Sequence, residues 1–136
     1  MVFAGFSFKK ISVEKSEAPK KGVKVDLKIN INDVTKTTFK LENRESLIFH
    51  FIFSVNYTPK IAELTLAGEL IFVDEPKIIK KVLEEWKDKK LDDKLRFDVL
   101  NFIMTKCNIK ALSLEEEMGL PLHIPLPRLK PEDKKK

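Results

Sequence analysis

The chain has 136 residues, 43% hydrophobic and 35% charged, with a net charge of +5 that rests on lysine, because only Arg44, Arg96 and Arg128 are arginines. That length suits one domain with one core. The lysines are scattered as pairs (Lys9-Lys10, Lys20-Lys21, Lys80-Lys81, Lys89-Lys90) instead of lining one element beside arginine forks, which makes a dedicated nucleic-acid face a poor fit. No apolar run is long enough to span a membrane, and Met1–Lys9 lacks the charged region ahead of an apolar run that marks a signal peptide. The single cysteine, Cys107, cannot form an internal disulfide, which points to a reducing, cytoplasmic setting. Glutamine is absent while Lys and Glu dominate the polar residues, a bias typical of hyperthermophile proteins.

In chain order, Val2–Glu14 places Phe6 and Phe8 on one parity and Ile11 and Val13 on the other. The switch at Lys9-Lys10 is what one extra residue, a β-bulge, produces in a strand. Lys15–Gly22, polar with Pro19 and Gly22, predicts a loop. Val23–Ile31 alternates strictly, with Val23, Val25, Leu27, Ile29 and Ile31 on one face, and Asn32-Asp33 is expected to end that strand. Thr35–Arg44 has only Phe39 and Leu41 as large apolar residues and is either a loop or a short strand.

Ser46–Phe72 carries the strongest signal. Leu47, Phe49, Phe51, Phe53, Val55 and Tyr57 share one parity. After a turn at Thr58-Pro59, Ala62, Leu64, Leu66, Gly68, Leu70 and Phe72 share another, which predicts a long antiparallel hairpin. Ile48, His50 and Ile52 make the first arm apolar on its second face as well, so that face calls for cover or for a partner.

Asp74-Glu75-Pro76 reads as a helix start, with Asp at the cap and Pro in the first turn. Ile79, Val82, Leu83 and Trp86 then form one stripe. A charged loop, Lys87–Asp93, leads to a second helix with one stripe of Leu95, Val99, Phe102 and Ile103 and a neighbouring stripe of Phe97, Leu100, Met104 and Cys107. Ser113-Leu114-Glu115-Glu116 has the form of a capping box opening a further short helix, stopped by Gly119. Gly119–Lys130 alternates Pro121, Pro125 and Pro127 with Leu120, Leu122, Ile124, Leu126 and Leu129; it must be extended, with its leucines against something apolar. Residues 1–130 are expected to form one domain and residues 131–136 a disordered charged tail.

Chemistry finds little support. His50 and His123 are the only histidines, and with one thiol they fall short of a zinc ligand set. Cys107 lies on an apolar stripe, where a thiol is packed and inert. Glu115-Glu116-Glu117 is explained by a helix N-terminus, and the glycines are isolated, so no phosphate loop is present. No cofactor, no metal and no enzymatic activity are expected. The apolar inventory, by contrast, exceeds what one sheet face and two helices bury. The surplus suggests self-association or a groove for apolar peptide.

The order of elements, the local runs Phe8-Lys9-Lys10-Ile11-Ser12-Val13 and Val23-Lys24-Val25-Asp26-Leu27, and the closing Leu112–Leu129 segment resemble the SecB-type export chaperone family over residues 3–130. The resemblance implies an α+β fold, a four-stranded antiparallel sheet with two main helices packed on one face, assembling as a dimer of dimers. It further implies a non-enzymatic holdase that binds unfolded or nascent polypeptide in apolar grooves. The family's groove residues fall here on Val23, Val25 and Leu27 of the second strand and on Phe97, Leu100 and Met104 of the second helix; Ile48, His50 and Ile52 offer a second apolar surface. Bacterial members are acidic and dock a translocation ATPase, whereas this chain is basic, so the chaperone role is carried over and the export role is not. Two other classes compete: a nucleic-acid-associated module using the lysine pairs and exposed aromatics, whose binding would fall steeply with salt, and an antitoxin-like partner protein whose apolar surface is covered by one dedicated protein.

Overall fold

The computed structural model describes residues 2–16 and 22–127. Its elements are β1 (Val2–Lys15), β2 (Lys24–Leu41), β3 (Arg44–Thr58), β4 (Ala62–Asp74), α1 (Pro76–Trp86) and α2 (Asp93–Glu117). The strands form one antiparallel sheet in the order β1-β4-β3-β2. The hairpin read from Ser46–Phe72 is therefore its centre, and the first two strands are its edges.

Period-two alternation decides which side is buried. Leu47, Phe49, Phe51, Phe53, Val55 and Tyr57 of β3 and Leu64, Leu66, Leu70 and Phe72 of β4 are all essentially inaccessible. Both helices lie over this face. Ile79 and Val82 come down from α1. Val99, Ile103, Cys107 and Ala111 come down from α2, one from each successive turn. Phe102, on one flank of α2, meets Phe3 (4.8 Å between ring centroids) and Phe6 (6.2 Å) of β1, and Phe6 stacks on Phe51 at 5.2 Å.

The parity change in β1 is a bulge between Phe8 and Lys10, as the sequence indicates, and a second register shift lies between Phe3 and Gly5. Past the bulge, Ile11 and Val13 stand opposite Leu66 and Leu64 and return to the helix-bearing face. Two expectations fail. Asn32-Asp33 does not end β2: the register shifts there and the strand runs on to Leu41, where it turns through Glu42-Asn43 to Arg44. Asp33 makes this possible by accepting from the Val34 N–H at 2.8 Å and the Trp86 indole N–H at 3.3 Å. The flip in parity turns Val34 to the core opposite Phe49. Nor does Ser113 cap a new helix. α2 runs unbroken through it to Glu117, and the Met118 N–H still bonds the Leu114 carbonyl at 2.9 Å. Lys110-Ala111-Leu112 offer nothing to stop the helix, so the Ser113 backbone never leaves the helical conformation a cap requires it to leave. Glu115–Glu117 consequently sit at a helix C-terminus. The end itself is as expected: Gly119 takes φ +65, a left-handed conformation that glycine adopts freely.

α1 starts at Pro76, with the proline in the first turn as the sequence predicts, but the cap position falls to Glu75, which makes no side-chain cap bond, and not to Asp74, whose carboxylate accepts from the Glu75 N–H at 2.7 Å. α2 is capped by Asp92, which accepts from the Leu95 N–H at 3.4 Å. The expected loop around Pro19 and Lys20-Lys21, the placement of Leu129 and the charged tail at 131–136 lie outside the described residues.

Gly68 tests the sheet's packing. It stands in β4 between Phe51 of β3 and Phe8 of β1. A Cβ there would overlap the Ser7 carbonyl oxygen and lie 2.9 Å from Phe51 Cζ and 3.0 Å from Phe8 Cα. Gly68→Ala is expected to destabilise the fold by about 3 kcal/mol, since a well-packed core cannot take an added carbon without backbone shifts. Chemical denaturation of the two proteins measures it.

Candidate functional site

β2 is an edge strand, and its register with β3 fixes where its side chains point. Val25 is opposite Tyr57, Leu27 opposite Val55, Ile29 opposite Phe53 and Ile31 opposite Phe51. Directly opposed residues share a face, so these four lie on the helix-bearing side. Unlike their partners they are not covered: Leu27 is 37% exposed, and Val25, Ile29 and Ile31 are half-buried, as is Val23 just ahead of the strand.

The opposing wall is the flank of α2. Phe102 occupies the flank toward β1, so Leu100 and Met104, on the other flank, face the β2 side. Both are half-buried, while Phe97 is 56% exposed and carries the Arg96 guanidinium 5.0 Å from its ring centroid. Between strand and helix lies a groove of about 460 Å³. Ile29 and Ile31 line it from β2, Trp86 and Leu91 from the end of α1 and the link that follows, and Leu100 from α2, with the exposed side chains of Lys89 and Arg96 on its rim. Trp86 is held in place by its N–H bond to Asp33. The adjacent Val34 N–H first, and that bond second, keep the Asp33 carboxyl below its usual range, with a smaller contribution from nearby Lys89.

Of the residues singled out from the sequence, Leu100 lines this groove, Val25 and Leu27 extend its strand wall, Val23 continues that row, Met104 packs half-buried beside it, and Phe97 stands exposed at the same helix. Trp86, Leu91, Ile29 and Ile31 were not singled out. Trp86 belongs to a stripe that reads as core, and nothing in an alternating strand says whether it is central or at an edge.

Ile48, His50 and Ile52 point to the opposite side of the sheet, which neither helix covers. Ile52 is 40% exposed, and Ile48 and His50 are half-buried. His50 Nε2 is 2.9 Å from Thr35 Oγ1 and its Nδ1 is 3.8 Å from Glu69, which also faces Lys9 at 3.9 Å. Among the described residues no group of three or more His, Cys, Asp or Glu is placed to hold a metal ion. Cys107 is fully buried, and that burial pushes its thiol up to about 12, the reverse of what a nucleophile requires.

A buried polar cluster escaped the sequence altogether. The two oxygens of Glu115 are 2.9 and 2.8 Å from His123 Nδ1, and one also accepts from the His123 main-chain N–H at 3.0 Å. His123 Nε2 is 2.8 Å from Asn108 Oδ1, and the ring stands edge-on to Phe53 at 5.9 Å. The side chains of Glu115 and His123 are fully shielded from solvent. Tyr57 donates to the Pro121 carbonyl at 2.6 Å, and Lys15 to the Met118 carbonyl at 2.9 Å. Together these bonds fasten the proline-rich segment to the core. Leu120 is buried as expected, but Leu122 and Leu126 stay exposed. The only sequence signal was a Glu and a His eight residues apart across a Gly–Pro turn.

No protein-family model and no curated protein sequence matches the chain. Among solved structures it is similar to the SecB-like chaperone Rv1957 of Mycobacterium tuberculosis, solved in complex with a ChAD peptide from the HigA1 antitoxin. The TM-score is 0.52 at 13% identity, over 95% of this chain and 90% of that one. The fold is SecB-like, as the element order suggested, with the four-stranded antiparallel sheet and both helices on one face. None of the described helices is long and apolar enough to cross a membrane.

Two measurements check the polar cluster. Glu115→Ala leaves His123 buried without its carboxylate and is expected to lower stability by about 3 kcal/mol, read by denaturant titration. Burial first, and the Glu115 carboxylate second, hold the Tyr57 phenol above its ordinary value of 10.0. The unfolded chain therefore releases this proton before the folded one does. Stability from this source is full below about pH 10 and declines above it. Thermal midpoints should fall less steeply above that pH in Tyr57→Phe than in the unsubstituted protein.

Proposed function

We propose that this SecB-like chain is a non-enzymatic holdase that binds extended apolar segments of non-native polypeptide along the groove between β2 and α2. The observation that carries this reading is the row Val25, Leu27, Ile29 and Ile31. It lies on an open sheet edge, beside Leu100 and Phe97, and is left half-exposed where its β3 partners are wholly buried. An extended client can add to that edge by main-chain hydrogen bonds while every second side chain enters the groove. Apolar area removed from water contributes about 25 cal/mol per Å² before the cost of ordering the client. No bond is made or broken, and no cofactor is called for. The M. tuberculosis neighbour, bound to a peptide from an antitoxin, supports a polypeptide as the ligand class.

The same reading places the protein in the cytoplasm and makes it a homo-oligomer, a dimer or dimer of dimers. The uncovered outer sheet face, with Ile48 and Ile52 beside His50, is the second apolar surface. The neighbour's ligand also favours a narrower version, in which one dedicated partner supplies the apolar segment. Co-purification of a single protein at fixed ratio from the native source would select it over general holding.

Suppression of aggregation of a chemically denatured client at stoichiometric ratio tests the proposal. The double variant Leu27→Asp/Leu100→Asp places charges in the groove at positions that are not fully buried, so it should fold. It should require at least about tenfold more protein for equal protection, the equivalent of 1.4 kcal/mol of lost affinity. Equal protection by the variant, or none by the unsubstituted protein, contradicts the proposal.

A further inference from the structure

Lys89 is an oddity of the backbone. It has φ +58, in the left-handed turn that ends α1. Its N–H bonds the Trp86 carbonyl at 2.8 Å and the next N–H reaches back to Glu85 at 3.2 Å. A helix end of this kind is ordinarily given to glycine, because a side chain in the left-handed region costs about 1 kcal/mol. The same chain follows that rule at the end of α2, with Gly119. At the end of α1 it keeps a lysine instead. Some of that cost is returned by the helix dipole, which favours a cation at a C-terminus, and by the indole face, over which the ammonium sits 4.8 Å from the ring centroid. The result is a cation fixed on the groove's rim.

Arg96, held over Phe97, is a second cation on that rim. Among the described residues no acid lines the groove. Two acids close to these cations, Asp33 and Asp93, lie outside the lining. Asp33 accepts from the Val34 N–H and the Trp86 indole. Asp93 meets Arg96 at 3.3 Å on an exposed surface, where solvent screens the pair. The apolar floor of Ile29, Ile31 and Leu100 is thus bordered by two cations, each set over an aromatic ring.

We infer that this groove selects apolar segments of polypeptide flanked by aspartate or glutamate, with Lys89 and Arg96 as the residues that read the carboxylates. This rests on the proposed holdase reading and adds the class of client. It also gives a reason for Lys89 to stand where glycine is the easier residue. A partly exposed cation–carboxylate contact changes affinity by about two- to fivefold at low salt, so two of them amount to roughly tenfold.

The test uses the full chain and three labelled peptides with one shared apolar run, flanked by Glu, by Ser or by Lys, followed by fluorescence anisotropy. The Glu-flanked peptide should bind about tenfold more tightly than the Lys-flanked one, with the Ser-flanked peptide between them and the gap closing as salt rises. Lys89→Gly is the diagnostic variant, because the left-handed backbone suits glycine. Its thermal midpoint should be equal or higher while the preference for Glu falls by about two- to fivefold. Lys89→Gly/Arg96→Gln should bind all three peptides alike. Equal binding of the three by the unsubstituted protein, or a preference that survives in the double variant, overturns the inference and leaves the holdase reading standing. Failure to bind any of the peptides overturns both. Displacement of the Glu-flanked peptide by a single-stranded oligonucleotide at similar concentration would show a general anion surface and also overturn it.

Discussion

The burial of one sheet face is the constraint from which the rest follows. Ten large side chains from β3 and β4 are sealed between the sheet and two helices. Sealing that centre fixes the position of both helices, because Ile79, Val82, Val99 and Ile103 can reach it from only one direction. Once α2 is placed with Phe102 against the phenylalanines of β1, its opposite flank must overhang β2. The cover is complete over β3 and incomplete over β2, and this incompleteness makes the groove. Function in this account is a by-product of where a well-packed core stops.

The parts of the fold that depend on a residue's neighbours in sequence were legible. Period two along Leu47–Phe72 gave the central hairpin, the parity switch at Lys9-Lys10 gave a bulge, and Ile79, Val82 and Trp86 gave α1. Resemblance in the order of elements supplied the strand count and the side on which the helices lie. The two misreadings have different causes: one local signal was overridden by a contact distant in sequence, the other by a helix that was already running when it reached the signal. Asn32-Asp33 resembles a strand end, yet Asp33 satisfies the donors around the bulge, one of them from Trp86, fifty-three residues away. Ser113-Leu114-Glu115-Glu116 resembles a helix start. The turn before it was already helical, however, and Glu115 is aimed inward at His123.

The walls of the candidate groove were legible in outline. Val25, Leu27 and Leu100 could be assigned from a family pattern because strand parity and helix stripes fix which way they face. Trp86, Ile29 and Ile31 could not be separated from the core, since burial at an edge and burial at a centre look identical in a run of alternating residues. Lys89 was invisible for a different reason. Its left-handed backbone is a property of the turn, and in sequence it is one lysine among many.

A well-packed frame with one open margin suits the proposed holding of extended segments. The Glu115–His123–Asn108 cluster and the Tyr57–Pro121 bond fasten the C-terminal segment to the core. The most direct test of the central claim is amide hydrogen exchange on β2 and α2, with and without a saturating apolar client. The account predicts slowed exchange confined to Lys24–Ile31 and the adjoining part of α2 around Leu100. Protection that appears instead on β1 or is absent throughout would contradict it.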